Sequence, residues 1–165
     1  MKLALPCLVV AAALWSAGCV GASSDASAAR PAAASPCAGG GPLSGAQFRA
    51  LMQTVAAGWR AGDADGSARC FAPDAVYSEP PRKQFYRGRA ALRTFFGPDP
   101  QGMVWHHLVF DEEQQVGAGE YTYRGRNQYH GVVMVRIVDG VIANWREYQT
   151  RSDLPWERFM DENVF

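Results

Sequence analysis

Two alternating apolar runs near the end of the chain predict a β-hairpin. Tyr129–Val138 and Val141–Thr150 are rich in Val, Ile and aromatic residues, and they flank the pair Asp139-Gly140. This pair suits a two-residue turn, because both residues tolerate the positive φ angles that tight hairpins need. We therefore expect the hairpin to form the centre of the sheet.

Counting outward from the predicted turn assigns side chains to the two faces of the hairpin. Met134 then lies opposite Trp145, and Val132 lies opposite Glu147. The first face is expected to carry His130, Val132, Met134, Ala143, Trp145 and Glu147. The second is expected to carry Val133, Val135, Ile137, Ile142, Asn144, Arg146 and Tyr148. Neither face has the polar alternation of a solvated sheet, so both should be covered, the second by another copy of the chain in a homodimer.

Helical periodicity predicts three helices ahead of the main strands. The first follows the capping-box pair Ser44 and Gln47 and runs to a glycine stop at Gly62. The second covers about Asp65–Phe71 and is ended by a proline, and the third covers Gly88–Phe96 and is closed by Gly-Pro. The chain is therefore expected to enter its sheet after a helical first half.

Further strands are predicted at Ala75–Glu79, Met103–Phe110 and Gly119–Arg124. Together with the hairpin they indicate an α+β fold, in which three N-terminal helices pack on one face of a strongly curved antiparallel sheet. The C-terminal tail is too apolar to remain in water and should dock on the domain. The folded domain is therefore predicted to cover residues 44–165.

The first nineteen residues have the layout of a secretory signal peptide. A lysine precedes an apolar run that is too short to span a bilayer comfortably, and small residues follow. The end of this segment resembles the lipobox of bacterial lipoproteins, which predicts lipidation of Cys19 and attachment to the cell membrane. Ser16 departs from the usual Leu, and cleavage after Ala22 would give a secreted or periplasmic protein instead. Residues 20–43 are mostly Ala, Ser, Gly and Pro and read as a flexible tether.

The charge balance indicates which partners the chain can bind, and the cysteines indicate which cellular compartment suits it. Sixteen basic residues balance sixteen acidic ones, so the chain lacks the basic excess of a nucleic-acid-binding domain. Cys37 and Cys70 remain after the signal segment is removed, and they can form a disulfide in an oxidising compartment. The alternative is that Cys70 is a small core residue.

Three segments occur in an order that resembles a known superfamily. They are AGDADGSARCFAPDAVYSEP, YRGRAALRTFFG and VRIVDGVIANWREYQ. This order resembles the nuclear transport factor 2-like superfamily, in particular its SnoaL-like polyketide-cyclase branch, over residues 47–150. The resemblance implies a cone-like domain with a deep, mostly apolar pocket on the concave face of the sheet. Relatives with such a pocket include ketosteroid isomerases, limonene epoxide hydrolases, polyketide cyclases and non-enzymatic binding proteins.

The resemblance carries over to only some residues. Glu79 falls where the isomerases have their proton-shuttling Asp, and Tyr77 and Glu79 match the Tyr-x-Asn pair that holds water in the epoxide hydrolases. Glu147 matches the base Asp of the hydrolases' Trp-Arg-Asp-Tyr segment. The isomerases' oxyanion-hole Tyr falls near Val55, and their protonated Asp falls on Val133 or Met134. Both isomerase donors are therefore missing. The strand where the hydrolases carry an Arg-x-Asp pair reads EYTYRG here, without that pair in register, so neither activity transfers whole.

Glu79 and Glu147 are the candidate catalytic acids, with Tyr77 on the same strand face as Glu79. Two carboxyl groups in an apolar cavity raise each other's pKa through desolvation and like charge, which suits proton transfer near neutral pH. The alternative is that Glu79 lies in water at the cavity mouth and that Glu147 forms an ion pair with Arg146 or Arg124.

The histidines offer a proton partner but no recognisable metal site. His106 and His107 are neighbours on a strand, so they should point to opposite faces and only one should enter the pocket. The spacing matches no standard ligand motif, so neither a metal nor another cofactor is expected. His130 lies diagonal to Glu147 in the predicted register and is the candidate proton partner. The alternative is an edge histidine in solvent.

Large side chains are expected to line the pocket and to favour a flat apolar ligand. They are Trp59, Trp105, Met134 and Trp145. The alternative is that they fill the core. The sequence thus predicts an exported domain that binds a small apolar or ring-containing molecule, with acid-base chemistry of an isomerase, cyclase or hydrolase. The alternative is a non-catalytic binding or interaction module of the cell envelope.

Overall fold

The computed structural model describes residues 35–161, with side chains up to residue 158. The predicted signal peptide, the candidate lipidation site Cys19 and residues 20–34 of the predicted tether lie outside the described residues. The elements in chain order are α1 (Gly45–Ala61), α2 (Ala64–Ala68), β1 (Phe71–Glu79), a 3₁₀ helix (Pro80–Arg82), β2 (Gln84–Arg87), α3 (Arg89–Phe96), β3 (Gly102–Asp111), β4 (Val116–Arg124), β5 (Gln128–Val138), β6 (Val141–Ser152) and α4 (Trp156–Asp161).

The six strands form one open sheet in the order β2-β1-β6-β5-β4-β3. The α+β class is confirmed, but the sheet is mixed where an antiparallel sheet was predicted, because β1 pairs with β6 in parallel. No tight turn links these two strands, so their relative direction is set by packing rather than by a loop. The described residues contain four α-helices where three were predicted, and they contain strand β2, which was not predicted.

Helix α1 begins and ends as its sequence predicts. Ser44 and Gln47 form the capping box: the Gln47 amide donates to Ser44 Oγ, and the Ser44 amide donates to Gln47 Oε1. Gly62 ends the helix with a left-handed φ of 67°. On its buried side, the ring of Phe48 stacks on that of Phe110 in β3, with centroids 4.3 Å apart. The helix therefore packs on the sheet through its apolar stripe.

The predicted hairpin turn is confirmed. Val138 pairs with Val141 across it, and Asp139 and Gly140 both have positive φ angles, of 49° and 75°. Such angles identify the turn types whose twist matches that of the strands. A register shift follows directly after the turn, and it leaves Ala143 as an extra residue on β6. This residue is a β-bulge.

The bulge makes the predicted cross-strand partners wrong. Trp145 pairs with Val135, and Glu147 pairs with Val133. Val133 is 0% exposed and lies inside the domain, whereas Val132 is 43% exposed on the other side of the sheet. One inserted residue reverses every later side chain on a strand, which is why β5 was assigned to the wrong faces.

The side of the sheet that points away from the helices carries several exposed apolar residues. We call this surface the outer face. Its exposed apolar members are Val104, Val109, Val132, Met134 and Tyr148. The residues predicted to need cover by a second copy are instead buried in the domain's own core: Val133, Val135, Ile137 and Ile142. The predicted composition of the covered face was therefore wrong.

A disulfide joins Cys37 to Cys70 at the start of the described chain. Both cysteines belong to the core, and Cys70 is fully buried. Cys70 is therefore both disulfide-bonded and a core residue, so the two alternatives hold together. The bond ties the segment before α1 to the residue that precedes β1.

The C-terminal tail forms α4 in its described part. The guanidinium of Arg124 lies 5.4 Å from the ring centre of Trp156, which places a cation against the aromatic face. The part of the tail beyond residue 161 lies outside the described residues. Among the helices that the structure describes, none is long and apolar enough to cross a membrane.

Candidate functional site

A cavity of about 200 Å³ lies between α1, α3, the 3₁₀ helix and the inner face of the sheet. Its wall combines aromatic, amide and charged side chains: Trp59, Tyr77, Glu79, Arg82, Gln84, Phe95, Phe96, Gln101, Tyr121, Tyr123, Arg126, Asn127, Tyr129, Glu147 and Gln149. An apolar cavity of about 150 Å³ holds a benzene ring, and sites for drug-sized ligands begin at about 300 Å³. The cavity therefore suits a molecule of one or two rings.

Glu147 is buried in the cavity wall, at 5% exposure. Its Oε2 accepts a hydrogen bond from the Tyr77 hydroxyl at 2.8 Å and another from Trp145 Nε1 at 2.6 Å. Trp145 reaches it because residues two apart on a strand share a face. Tyr77 reaches it because β1 pairs with β6 in parallel, with Tyr77 beside Trp145. The sheet register thus builds this constellation.

Burial raises the pKa of Glu147 to about 7. The indole donor of Trp145 opposes this shift by stabilising the charged form, the negative charge of Glu79 adds to it, and the hydroxyls of Tyr77 and Tyr121 oppose it. A carboxyl group with this pKa is present in both protonation states at neutral pH. It can therefore act as a base or as an acid in the range where proteins usually work.

Glu79 lies two residues beyond Tyr77 on β1 and has a cationic neighbour. Its Oε2 accepts a hydrogen bond from Gln149 Nε2 at 2.7 Å and lies 3.6 Å from Arg82 Nε. Burial raises the pKa of Glu79, and both Gln149 and Arg82 oppose the rise. Arg82 also lies over the ring of Tyr129, 4.1 Å from its centre. Glu79 is therefore held by an amide donor and a cation, whereas Glu147 is held by two neutral donors.

Two buried polar atoms in side chains of the wall lack a hydrogen-bond partner within the described residues. They are Trp59 Nε1 and the Tyr121 hydroxyl oxygen. Tyr121 lies close enough to Glu147 for each group to affect the pKa of the other, but its hydroxyl makes no hydrogen bond of normal geometry. Burial of the phenol, followed by the charge of Glu147, raises the pKa of Tyr121. An unpaired buried donor costs about 1–3 kcal/mol, so these atoms favour an occupant that accepts hydrogen bonds.

The structure brings four of the sequence-predicted site residues to this one cavity: Trp59, Tyr77, Glu79 and Glu147. Trp145 lies behind them and holds Glu147 through its indole nitrogen. Trp105 packs further back, where its Nε1 donates to the Met52 carbonyl at 2.9 Å. These two tryptophans support the wall and do not line it.

Two other predicted site residues lie on the outer face. Met134 is 46% exposed there, and His130 Nε2 contacts Glu120 Oε1 at 3.0 Å. Both were assigned to the cavity side, which is wrong because the bulge at Ala143 reverses β5 relative to Glu147. His130 is therefore not a proton partner of Glu147.

The remaining histidines also lie on the outer face. A register shift between β3 and β4 leaves His106 as an extra residue, and its Nε2 lies 2.6 Å from the hydroxyl oxygen of Thr122. His107 pairs with Glu120, so the prediction that the adjacent histidines face opposite sides is wrong. Burial, followed by the proximity of His130, lowers the pKa of His106. The described part of the chain contains no group of three or more His, Cys, Asp or Glu arranged to hold a metal ion.

Several cavity residues were missed by sequence reasoning. They are Arg82, Gln84, Phe95, Phe96, Gln101, Tyr121, Tyr123, Arg126, Asn127, Tyr129 and Gln149. Tyr121 and Tyr123 could have been found, because they alternate on β4 with the period of a strand face. Arg82 and Arg126 lie in a 3₁₀ helix and a loop, where no periodic signal exists.

Solved structures with the same fold include enzymes and proteins of unknown function. A protein of unknown function with a cystatin-like fold from Methylobium petroleophilum matches with a TM-score of 0.59, 18% identity, and coverage of 76% of this chain and 95% of that one. An LEH-like epoxide hydrolase from M. tuberculosis matches with a TM-score of 0.53, 18% identity, and coverage of 61% and 80%.

An epoxide hydrolase/cyclase-like enzyme of pyran ring formation in the polyether salinomycin matches with a TM-score of 0.55, 18% identity, and coverage of 64% and 92%. At these identities the likeness shows the fold. No curated protein is significantly similar to the chain in sequence. The SnoaL-like domain family matches residues 51–145, which is more than half of the chain. This chain therefore belongs to the SnoaL-like domain family.

Proposed function

We propose that this domain binds a small ring-containing molecule in the cavity and transfers a proton to or from it through Glu147. The observation that carries the proposal is the buried carboxyl group of Glu147, held by Tyr77 and Trp145 in the cavity wall with a pKa of about 7. A desolvated carboxyl with a pKa near the working pH is the usual design of a general acid or base.

The two carboxyl oxygens of Glu147 have different roles in this proposal. Both bonds that it accepts from described residues end on Oε2, which fixes the orientation of the carboxyl group. Oε1 is the oxygen that remains to take up or release a proton. Tyr77 and Trp145 are positioning residues in this scheme, and the proton transfer needs no cofactor.

Similar structures support the reaction class. Two of them are an epoxide hydrolase and an epoxide hydrolase/cyclase-like enzyme, and both use the same fold. The aromatic wall around Trp59, Tyr77 and Phe96 fits a flat apolar body, while Glu147 offers proton transfer at one place on it. Isomerisation, cyclisation and hydrolysis of a small ring compound are the reactions that this arrangement supports best.

The test combines endogenous ligand discovery with a matched activity screen. Native mass spectrometry of the purified protein identifies a bound ligand, and a panel of ring ketones, epoxides and lactones in D₂O reports deuterium uptake or hydrolysis. We expect the Glu147→Gln variant to lose activity about 10²- to 10⁴-fold and the exposed Arg49→Gln variant to retain it. Equal turnover by Glu147→Gln and wild type would refute the catalytic role.

A second candidate is a binding module without catalysis. The family resemblance places the isomerases' oxyanion donors near Val55 and on Val133 or Met134. Val55 and Val133 are apolar and fully buried, which favours this candidate. A ligand that binds with the same affinity to wild type and Glu147→Gln, without conversion in either, would establish it.

We also propose that the protein is exported and tethered through lipidated Cys19. The disulfide between Cys37 and Cys70 supports export, because such bonds persist in oxidising compartments. Acyl chains bind membranes with about 0.8 kcal/mol per buried CH₂. The Cys19→Ser variant should therefore move from the membrane to the soluble fraction. Wild-type protein found wholly in the cytoplasm would contradict the proposal.

A further inference from the structure

A second depression adjoins the cavity at the loop between β4 and β5. This groove of about 470 Å³ runs between that loop and the tail that leads to α4. Arg126 and Asn127 belong to the walls of both the groove and the cavity. These two residues therefore lie at the junction of the two spaces.

The groove carries an excess of positive charge. Its wall includes Arg124, Arg126 and Arg151, against the single carboxylate of Asp153. Arg151 is paired with Asp153 at 3.2 Å. The excess is local, because the chain as a whole has a formal net charge of zero. The groove is therefore more positively charged than the chain as a whole.

Of the three arginines in the groove, Arg126 has the most N–H donors left for a ligand. Arg124 lies over the ring of Trp156, and Arg151 is held by its ion pair. Arg126 makes no hydrogen bond or ion pair with any residue that the structure describes. A guanidinium offers several N–H donors in a planar fork that matches a carboxylate.

The cavity's charges decide where a ligand's negative group can lie. Glu147 and Glu79 line the interior, so an anion buried beside them would be repelled. Arg82 is already engaged by Glu79 and by the ring of Tyr129. Arg126, at the junction with the groove, is the cation that can receive a carboxylate while the ring stays inside.

We propose that the ligand is a ring-bearing carboxylic acid, whose ring occupies the cavity and whose carboxylate binds Arg126 at the junction with the groove. This inference rests on the proposed function for the existence of a ring-binding cavity, and it adds the chemical class of the ligand. Arg124 and Arg151 contribute to the attraction as neighbouring charges, which makes the affinity sensitive to salt.

The experiment compares two probes of the same shape on three proteins. The probes are 3-phenylpropionate and its neutral analogue 3-phenylpropanamide, and binding is measured by ligand-observed NMR at low and high salt. We expect wild type to bind the acid about tenfold more tightly than the amide at low salt, with the preference shrinking as salt rises. Arg126→Gln should lose this preference with little change in its affinity for the amide.

Arg49→Gln is the matched control, because it removes the same charge from an exposed position on α1. It should keep the preference for the acid. Equal binding of both probes by wild type, or equal losses in the two variants, would overturn the inference and leave the proposed function intact. Failure of both probes to bind would also overturn it, while the titration of Glu147 tests the proposed function independently.

Discussion

The hydroxyl of Tyr77 donates a hydrogen bond to Oε2 of Glu147 at 2.8 Å, although 70 residues separate the two in sequence. Tyr77 lies on β1 and Glu147 on β6, and the parallel pairing of these strands aligns Tyr77 with Trp145. The side chain of Tyr77 therefore stacks on the indole of Trp145 and reaches the carboxyl group beyond it. This contact links the neighbouring strands β1 and β6 at the proposed catalytic group.

The raised pKa of Glu147 predicts that the domain loses stability as the pH rises. Its value of about 7, against the ordinary 4.5, means that the folded state holds the proton more tightly than the unfolded state. The resulting stability is fully present below about pH 4.5 and is lost as the pH rises through about 7. The difference corresponds to about 3 kcal/mol. Urea unfolding at a series of pH values measures it.

Glu147→Gln should flatten this pH profile, because the amide does not titrate. Glu79→Gln is the comparison, since Glu79 has Arg82 to offset its burial and should contribute less. Identical profiles for wild type and Glu147→Gln would show that Glu147 does not titrate abnormally. Carbon-detected NMR of the side-chain carboxyl resonances gives the same answer residue by residue.

Removing the Tyr77 hydroxyl should raise the pKa of Glu147 further. In Tyr77→Phe the charged carboxylate loses a donor, and hydrogen bonds to charged groups are worth about 1.5–3 kcal/mol, or about one pH unit or more. Tyr86→Phe serves as the control, because the Tyr86 hydroxyl donates to Gln84 instead of Glu147. A pKa of Glu147 that is unchanged in Tyr77→Phe would remove Tyr77 from its positioning role.

Loss of the disulfide should destabilise the folded domain. Cys37 and Cys70 are separated by 33 residues, and opening a loop of that size costs about 3–4 kcal/mol in the chain-entropy account. The double variant Cys37→Ser/Cys70→Ser should therefore unfold at a lower urea concentration, and wild type treated with a reductant should match it. Peptide mapping that finds both cysteines as free thiols in protein purified without a reductant would contradict the bond.

The adjacent pair Val132 and Val133 tests the assignment of faces. Val133 is fully buried, so Val133→Ala should cost about 2 kcal/mol or more through lost burial and the space left behind. Val132→Ala, on the outer face, should change stability by less than about 1 kcal/mol. The reverse order in chemical unfolding would restore the register without the bulge at Ala143.

The outer face predicts self-association. Exposed apolar residues lie on β3, β5 and β6 of this face, and a symmetric homodimer would cover them. Met134→Lys should therefore lower the sedimentation coefficient, while Arg49→Gln should not. A wild-type domain that sediments as a monomer at micromolar concentration would contradict the homodimer.

Much of the fold follows from short-range signals in the chain. The capping box at Ser44 and Gln47, the stop at Gly62 and the turn at Asp139-Gly140 each depend on a few neighbouring residues, and each is present as predicted. Strand β2 cannot be predicted from the sequence, because four residues are too few for a periodic pattern. Family motifs added Tyr77, Glu79 and Glu147 as candidate site residues, and all three line one cavity.

The sequence by itself thus determined most of the element types, the α+β class, the family and the three polar residues that meet in the cavity. Only the tertiary structure decided which side of β5 faces inward, because the single extra residue at Ala143 changes the register without changing local propensity. It also decided the parallel pairing of β1 with β6 and the burial that raises the pKa of Glu147. These depend on packing between distant segments, and a local pattern of residues carries no record of that packing.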